Sequence, residues 1–331
     1  MRIAINGMGR IGRLLLRRLV KIEGLEVVAV NDIMTPAQLV YLQKYDSVYG
    51  AAEDEVALEN GQLCIAGKTV QILQQPDPAK LPWKELDIDL VLECTGLFMD
   101  SAGAGTHLQA GARKVLLSTT GAPDIPLCIY GFNQHQVSTG SLIVSPGGCM
   151  TNCSTHLIYL MQSIGIEAVH LNVVHSYTSR QHLVDGPHKD MRRGRAAAES
   201  VIPVPVDLAE SLERLFPVLK GRIHTVTTRV PVANGALADF TFQMKADTSV
   251  QEINRIFKEA AASEYKGIIA YTEDPLVSND VRGNTHSAVV EGSLTAVTGR
   301  MVKLMAFFDN EYGYTSRVVD WVKLLKEQQA S

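Results

Sequence analysis

Near its N-terminus the chain reads Gly7-Met8-Gly9-Arg10-Ile11-Gly12, a G-x-G-x-x-G set between an apolar run at 3–6 and a helical pattern at 10–21. A strand that turns through glycines into a helix builds a βαβ unit and little else. Small residues let backbone approach a pyrophosphate, and the helix start offers oriented N–H donors and positive potential. Asp32 stands 20 residues beyond Gly12, after a second apolar run at 25–30. A carboxylate there can accept from a ribose 2′-hydroxyl and repels a 2′-phosphate, which predicts NAD in preference to NADP. The same residues would also suit a glycine turn closing any βαβ unit, with Asp32 as a cap near Thr35-Pro36.

The next segments continue the alternation. Helices are expected at 36–44 and 104–110, and buried strands at 89–94 and 115–118, the pattern of a doubly wound parallel sheet. Residues 55–73 read as hairpins, with turn signals at Asn60-Gly61 and Gly67-Lys68. The pattern changes after Ser145-Pro146-Gly147-Gly148. A helix is expected at 149–163, then longer strands at 167–175, 223–230, 236–244, 287–291 and 301–308, with few helices between them. That predicts a second domain with an antiparallel or mixed sheet, which suits the 331-residue length. The polar, basic segment 177–205 lacks periodicity and reads as a functional or interface loop. A terminal helix is expected at 315–328.

Composition narrows the function. Net charge is −4, so nothing favours a nucleic-acid or anionic membrane partner. No apolar run reaches the roughly 18 residues of a membrane span, and the N-terminus reads as a strand rather than a signal peptide. Five cysteines, an odd and sparse set, read as reduced thiols in a cytoplasmic protein.

Cys149 follows a Pro-Gly-Gly turn at the start of a helix, where unpaired N–H groups and the helix dipole favour a thiolate. His175 ends a strand, where a side chain can reach a cleft, and a Cys–His pair is one way to activate a nucleophile. A small buried cysteine and a satisfied core histidine are the plainer alternatives. Cys149, Cys153 and His156 also share a helix face, but no second ligand-bearing segment completes a metal site, and none is expected. Arg192, Arg193 and Arg195 form either a solvated face or an anion site for a phosphorylated substrate.

Taken together the residues resemble the glyceraldehyde-3-phosphate dehydrogenase family, including its erythrose-4-phosphate dehydrogenase branch. The resemblance runs from Ile5-Asn6-Gly7-Met8-Gly9-Arg10-Ile11-Gly12 through Cys94-Thr95-Gly96, Cys149-Met150-Thr151-Asn152-Cys153 and His175-Ser176-Tyr177-Thr178 to Phe308-Asp309-Asn310-Glu311-Tyr312-Gly313-Tyr314. It implies a Rossmann-type doubly wound parallel sheet (1–148 and 311–331) and an α+β catalytic domain (149–310) with a mainly antiparallel sheet. Cys149 would be the nucleophile and His175 its acid–base partner. Asn6, Gly7, Arg10, Ile11, Asp32, Thr95, Ser118 and Asn310 would contact NAD, with Asn310 on the nicotinamide amide and Pro187 accompanying NAD use. Thr151, Thr178, Arg180, Arg195 and Arg229 would bind a small phosphorylated aldehyde. A homotetramer is implied, with the 177–205 loop at an interface. The implied reaction passes through a cysteine thiohemiacetal and thioester; a catalytically degenerate NAD-binding interaction protein is the alternative from another class.

The departures concern phosphate. Relatives using inorganic phosphate usually carry Ser and Thr beside the nucleophile, where this chain has Gly148 and Met150. A Thr-Thr-Thr-Gly stretch is replaced by Val204-Pro205-Val206-Asp207, and Arg180 stands where Asp is usual. With three hydroxyl donors gone, each worth about 1.5–3 kcal/mol to a charged partner, weakened phosphate dependence is expected. The erythrose-4-phosphate branch also departs at the Thr-rich stretch and releases its thioester to water, but it generally keeps the flanking Ser and Thr and has Glu where this chain has Asp32.

Overall fold

A computed structural model describes residues 1–138 and 140–330, and divides the chain into two compact units. The first comprises Met1–Gly148 and the chain from Thr315 onward; the second is Cys149–Tyr314. The division therefore falls four residues beyond the expected 311. Asp309 holds the 309–312 turn to the second unit: its carboxylate accepts from Asn234 Nδ2 and from the N–H groups of Gly283, Glu311 and Tyr312.

In the first unit, strand Arg2–Asn6 lies between Glu26–Asn31 and Leu90–Glu93, both parallel to it. Lys114–Leu117 and then Ile143–Val144 extend the parallel sheet on one side, and Lys68–Leu73 extends it on the other. Gln62–Ile65 and Val56–Glu59 complete the far edge as antiparallel hairpins. The central strands are buried on both faces, which explains their unbroken apolar composition. One expected turn is off by a residue. The second hairpin turns at Ala66-Gly67, with φ of 50° and 71°, rather than at Gly67-Lys68. A two-residue primed turn needs both central residues left-handed, so Ala66 occupies a position better suited to Asn or Gly.

The second unit is built on a mixed, mainly antiparallel sheet. Its order is Ile202–Val204, Ile223–Val230, Ile166–Ser176, Ala236–Met244, Met301–Phe308, Ala288–Glu291, Ile269–Thr272, with Ala296–Thr298 pairing Met301–Phe308. Helix Cys149–Gln162 is buried along most of its length. Two further helices, Leu208–Leu215 and Val250–Ala262, were not expected; Ile253, Phe257 and Ala260 are the buried face of the second. The 177–205 segment contains a short 3-10 turn, Met191–Gly194, and the strand Ile202–Val204. The last helix, Tyr312–Ala330, starts three residues earlier than expected.

Candidate active site

The glycine-rich loop is shaped by close backbone contacts. Gly7 has φ of 95°, and a Cβ there would lie 2.6 Å from Thr95 N; a Cβ on Gly12 would collide with Gly7 O. Nothing lies within 4 Å of a Cβ on Gly9, and no side chain caps helix Arg10–Leu19 at that residue. A tight turn, an open face and an uncapped helix start together fit a pyrophosphate. Asp32 lies one residue past strand Glu26–Asn31, and its carboxylate accepts from Met8 N at 2.6 Å and Met34 N at 3.0 Å. The helix cap is Thr35, not Asp32: Thr35 and Gln38 form a reciprocal capping box.

Other expected cofactor residues are held in a buried polar network. Glu93 accepts from Asn6 Nδ2 at 2.6 Å, from His107 Nε2 at 2.9 Å, and from both the N–H and hydroxyl of Thr95. Asn6 Oδ1 in turn accepts from Asn31 Nδ2. Both ends of the Asn6 amide are thus committed within the unit, as a support for the loop. Trp83 donates to His107 Nδ1 at 3.0 Å, which places the His107 proton on Nε2, toward Glu93. Arg10 pairs with Asp46 at 2.6 Å. Ile11 and Ser118 are half-buried, and Ser118 N donates to Glu93 O. Glu93, His107 and Trp83 were not singled out from sequence, since nothing local marks residues so far apart as one network.

In the second unit, Cys149 is the first residue of helix Cys149–Gln162, and its Sγ lies 3.7 Å from His175 Nε2. His175 sits near the end of strand Ile166–Ser176, and the parallel register pairs it with Arg229. Arg229 Nη1 is 2.7 Å from His175 Nδ1 and 3.1 Å from Ser176 O. Burial works against the thiolate that the helix start favours. Burial pushes the Cys149 thiol up to about 11, against the Arg229 charge and nearby backbone N–H groups that pull it down. Burial, reinforced by Arg229, pushes His175 down to about 3. Desolvation thus works against charge on both partners, and at Cys149 it opposes the pull of the helix start. Burial also lowers Arg229, to about 10; the nearby charges of Arg193 and Arg180 push the same way, while Cys149 opposes them.

Asn310 is oriented by its oxygen. Its Oδ1 accepts from Gly235 N at 2.9 Å, Ser176 Oγ at 3.3 Å and Asn234 Nδ2 at 3.4 Å. The amide nitrogen is thereby turned away from these donors. Thr151 is buried, and Thr178 donates to Gln181 Oε1 through both its N–H and hydroxyl. Arg195 is exposed and paired with Asp185 at 2.9 Å, so the structure does not bring it to Arg229. Arg193 is the nearer member of that basic run, and its Nη1 is buried without a hydrogen-bond partner. Among the described residues no group of three or more His, Cys, Asp or Glu could hold a metal. No described helix is long and apolar enough to cross a membrane.

A parallel α/β unit with a dinucleotide loop, joined in one chain to a mixed-sheet unit carrying a half-buried cysteine beside a buried His–Arg pair, is the build of a nicotinamide-dependent dehydrogenase. Two family models match the chain: the NAD binding domain of glyceraldehyde 3-phosphate dehydrogenase at residues 1–101, and its C-terminal domain at 148–310. Glyceraldehyde-3-phosphate dehydrogenase 2 of Bacillus subtilis is 40% identical over 325 residues, covering 97% of this chain and 96% of the relative. The glyceraldehyde-3-phosphate dehydrogenase of Borreliella burgdorferi is 40% identical over 334 residues, covering 98% and 99%. That of Geobacillus stearothermophilus is 39% identical over 322 residues, covering 96% of each.

The chain belongs to the glyceraldehyde-3-phosphate dehydrogenase family. It is an NAD-dependent oxidoreductase, with NAD as its cofactor.

Proposed function

We propose that the protein oxidises a small phosphorylated aldehyde through a covalent intermediate on Cys149, with glyceraldehyde 3-phosphate first among candidate substrates. The observation that carries this reading is the 3.7 Å approach of Cys149 Sγ to His175 Nε2. His175 takes the thiol proton as sulfur attacks the aldehyde carbon, then returns it to the carbonyl oxygen, giving a thiohemiacetal. The helix-start N–H groups near Cys149 favour the developing oxyanion. His175 next removes the hydroxyl proton as hydride leaves the carbon, and a thioester remains on Cys149. NAD, when bound, supplies the two-electron acceptor for that hydride. The Asn310 amide nitrogen, left available by its anchored oxygen, suits the nicotinamide carboxamide oxygen. Arg229, with Arg180 and Arg193 nearby and Thr178 beside the strand end, would hold the substrate phosphate.

The thioester needs a second nucleophile. Gly148, Met150, Val206 and Asp207 favour water over inorganic phosphate, since they offer no side-chain donor to a phosphate dianion. The replaced Thr-rich stretch, Val204-Pro205-Val206-Asp207, also supports a hydrolytic erythrose-4-phosphate dehydrogenase as the second reading, whereas Gly148 and Met150 count against that branch. A homotetramer belongs to this proposal, supported by the exposed apolar side chains Leu183, Val184, Met191 and Val201 in the 177–205 segment. A cytoplasmic setting is supported by five free cysteines. The deciding experiment is NADH formation with each phosphorylated aldehyde, with and without phosphate. No turnover with any of them would sink the reading and favour a binding protein.

A further inference from the structure

Asn6 and Glu93 are register partners at the carboxyl ends of adjacent parallel strands. The chain winds from Arg2–Asn6 through Glu26–Asn31 to Lys68–Leu73, then resumes on the other side with Leu90–Glu93 and Lys114–Leu117. The winding therefore reverses between these two residues, and open α/β sheets bind ligands outside the strand ends at such a point. Glu93, 2% exposed, lies at its base and meets four donors, each fixed from elsewhere. Gln75 donates its N–H to Asn31 Oδ1 and accepts from Asn31 Nδ2, which turns the Asn31 nitrogen toward Asn6 Oδ1 and leaves Asn6 Nδ2 for Glu93. Trp83 donates to His107 Nδ1, so that ring is neutral with its proton on Nε2, toward Glu93. Asn6 Nδ2 and His107 Nε2 lie 3.5 Å apart, as two N–H groups converging on one oxygen, Glu93 Oε2. On Oε1, the Thr95 N–H donates, and so does the Thr95 hydroxyl, whose oxygen accepts from Leu97 N. Four donors and no acceptor match a carboxylate with no proton of its own. Among the described residues its one ion-pair neighbour is the neutral His107, so no cation offsets the charge.

We infer that Glu93 is a positioning residue of the NAD site whose buried charge also tilts cofactor affinity toward the oxidised form. The inference rests on the reading of the glycine-rich loop as the place where NAD binds. Glu93 ties Asn6, immediately before that loop, to Thr95, whose nitrogen would lie 2.6 Å from a Cβ on Gly7. One carboxylate thereby sets the spacing of the two backbone segments that meet at the switch point. Its charge adds a second effect. Hydride transfer to NAD cancels the positive charge of the nicotinamide ring, so an anion buried in the cofactor-binding unit favours NAD over NADH. Burial and the lack of a counter-charge both extend the reach of that field.

Titration calorimetry of the full-length protein with NAD and with NADH tests both effects without turnover. Glu93→Gln keeps an oxygen for Thr95 but turns an amide N–H group onto Asn6 Nδ2 and His107 Nε2. It should weaken NAD binding at least about tenfold, because buried donors are set against one another. Losing the charge should also lower the ratio of the NADH to the NAD dissociation constant at least about threefold. A residue that only held the fold would weaken both cofactors together and leave that ratio alone. Glu93→Gln/Asn6→Asp moves the carboxylate to the partner strand, where it accepts from the new amide and still accepts from Asn31 Nδ2. This double variant should bring NAD affinity and the ratio back to within about threefold of the unmodified protein. An unchanged ratio in Glu93→Gln, or a double variant that binds NAD no better than the single one, overturns the inference. If Glu93→Gln does not fold, the double variant decides, and its failure to fold or to bind NAD overturns the inference equally. Asp32→Ala separates this outcome from failure of the site itself. Weakened NAD binding there, with none in Glu93→Gln, strikes only the role of Glu93, whereas no loss in either strikes the loop as the NAD site.

Discussion

The carboxylate of Asp32 accepts a 2.6 Å hydrogen bond from the backbone N–H of Met8, inside the glycine-rich loop. One residue thus braces the loop, and in the proposed NAD site its carboxylate would also face a ribose 2′-substituent. The two roles are separable. Asp32→Asn keeps an oxygen acceptor for Met8 and removes the charge, so the ratio of kcat/KM for NAD over NADP should fall at least about tenfold. Two unit charges near a protein surface interact by up to about 4 kcal/mol at contact distance, which leaves ample room for that change. Asp32→Ala should also raise the KM for NAD, because the loop loses its brace. Equal use of both cofactors by the unmodified protein would refute the role of Asp32.

Cys149→Ser should lower dehydrogenase turnover by about 10³-fold or more, since an alcohol beside a neutral imidazole is a far weaker nucleophile than a thiol. NAD affinity, measured by calorimetry, should change little. Cys153 is fully buried on the same helix, and burial holds its thiol well above the usual range. Cys153→Ser should keep most activity while losing about 1–3 kcal/mol of stability, the cost of burying a hydroxyl there. Turnover that persists in Cys149→Ser would remove the covalent mechanism.

Stability should depend on pH through the same pair. His175 titrates at about 3 in the folded protein against 6.5 for an ordinary imidazole. The unfolded chain therefore gains a proton that the folded one refuses. This contribution is complete above pH 6.5 and is lost as pH falls toward 3, at about 1.4 kcal/mol per pH unit. Cys149 gives the mirror image. Its thiol titrates at about 11 rather than 9, so its contribution is present below pH 9 and is lost as pH rises toward 11. Denaturation curves across pH should show His175→Asn flattening the acid limb and Cys149→Ser flattening the alkaline one. Unchanged slopes would mean that neither group is held neutral by burial.

Local pattern made the first unit readable. The glycine motif, Asp32 and the buried strands announce themselves within short windows, because a βαβ unit is defined by near neighbours in sequence. Helix Val250–Ala262 was not expected, although its signals are local: Ser249 accepts from Glu252 N as an N-cap, and Ile253, Phe257 and Ala260 follow at helical spacing. Ala66 was not legible. Its left-handed backbone goes against the residue's own preference and is imposed by the hairpin register, so the turn falls one residue earlier than its glycine suggests. Long-range register was hidden as well. His175 and Arg229 are 54 residues apart, and only the parallel pairing of their strands makes them neighbours. The desolvation that opposes a thiolate at Cys149 escaped for a related reason, because the helix start is visible in sequence while the burial is not.

Dependence on inorganic phosphate should be weak, and two substitutions should restore it. A Cβ built on Gly148 meets only Thr120 Oγ1, at 3.8 Å, so a Cβ is accommodated there without a clash. Met150 is half-buried, and its Sδ accepts from the hydroxyl of Thr227 at 3.6 Å. Met150→Thr frees that hydroxyl and adds another. Each donor regained toward a dianion is worth about 1.5–3 kcal/mol, or roughly one to two orders of magnitude in phosphate affinity. The unmodified protein should show a nearly flat rate from zero to tens of millimolar phosphate (roughly the upper range of ordinary enzyme KM values) and release a carboxylic acid. Gly148→Ser/Met150→Thr should show a saturable rise, with an acyl phosphate appearing among the products. A steep phosphate response in the unmodified protein would mean that Arg180 and Arg193 already form the anion site, and Arg193→Gln should then abolish it.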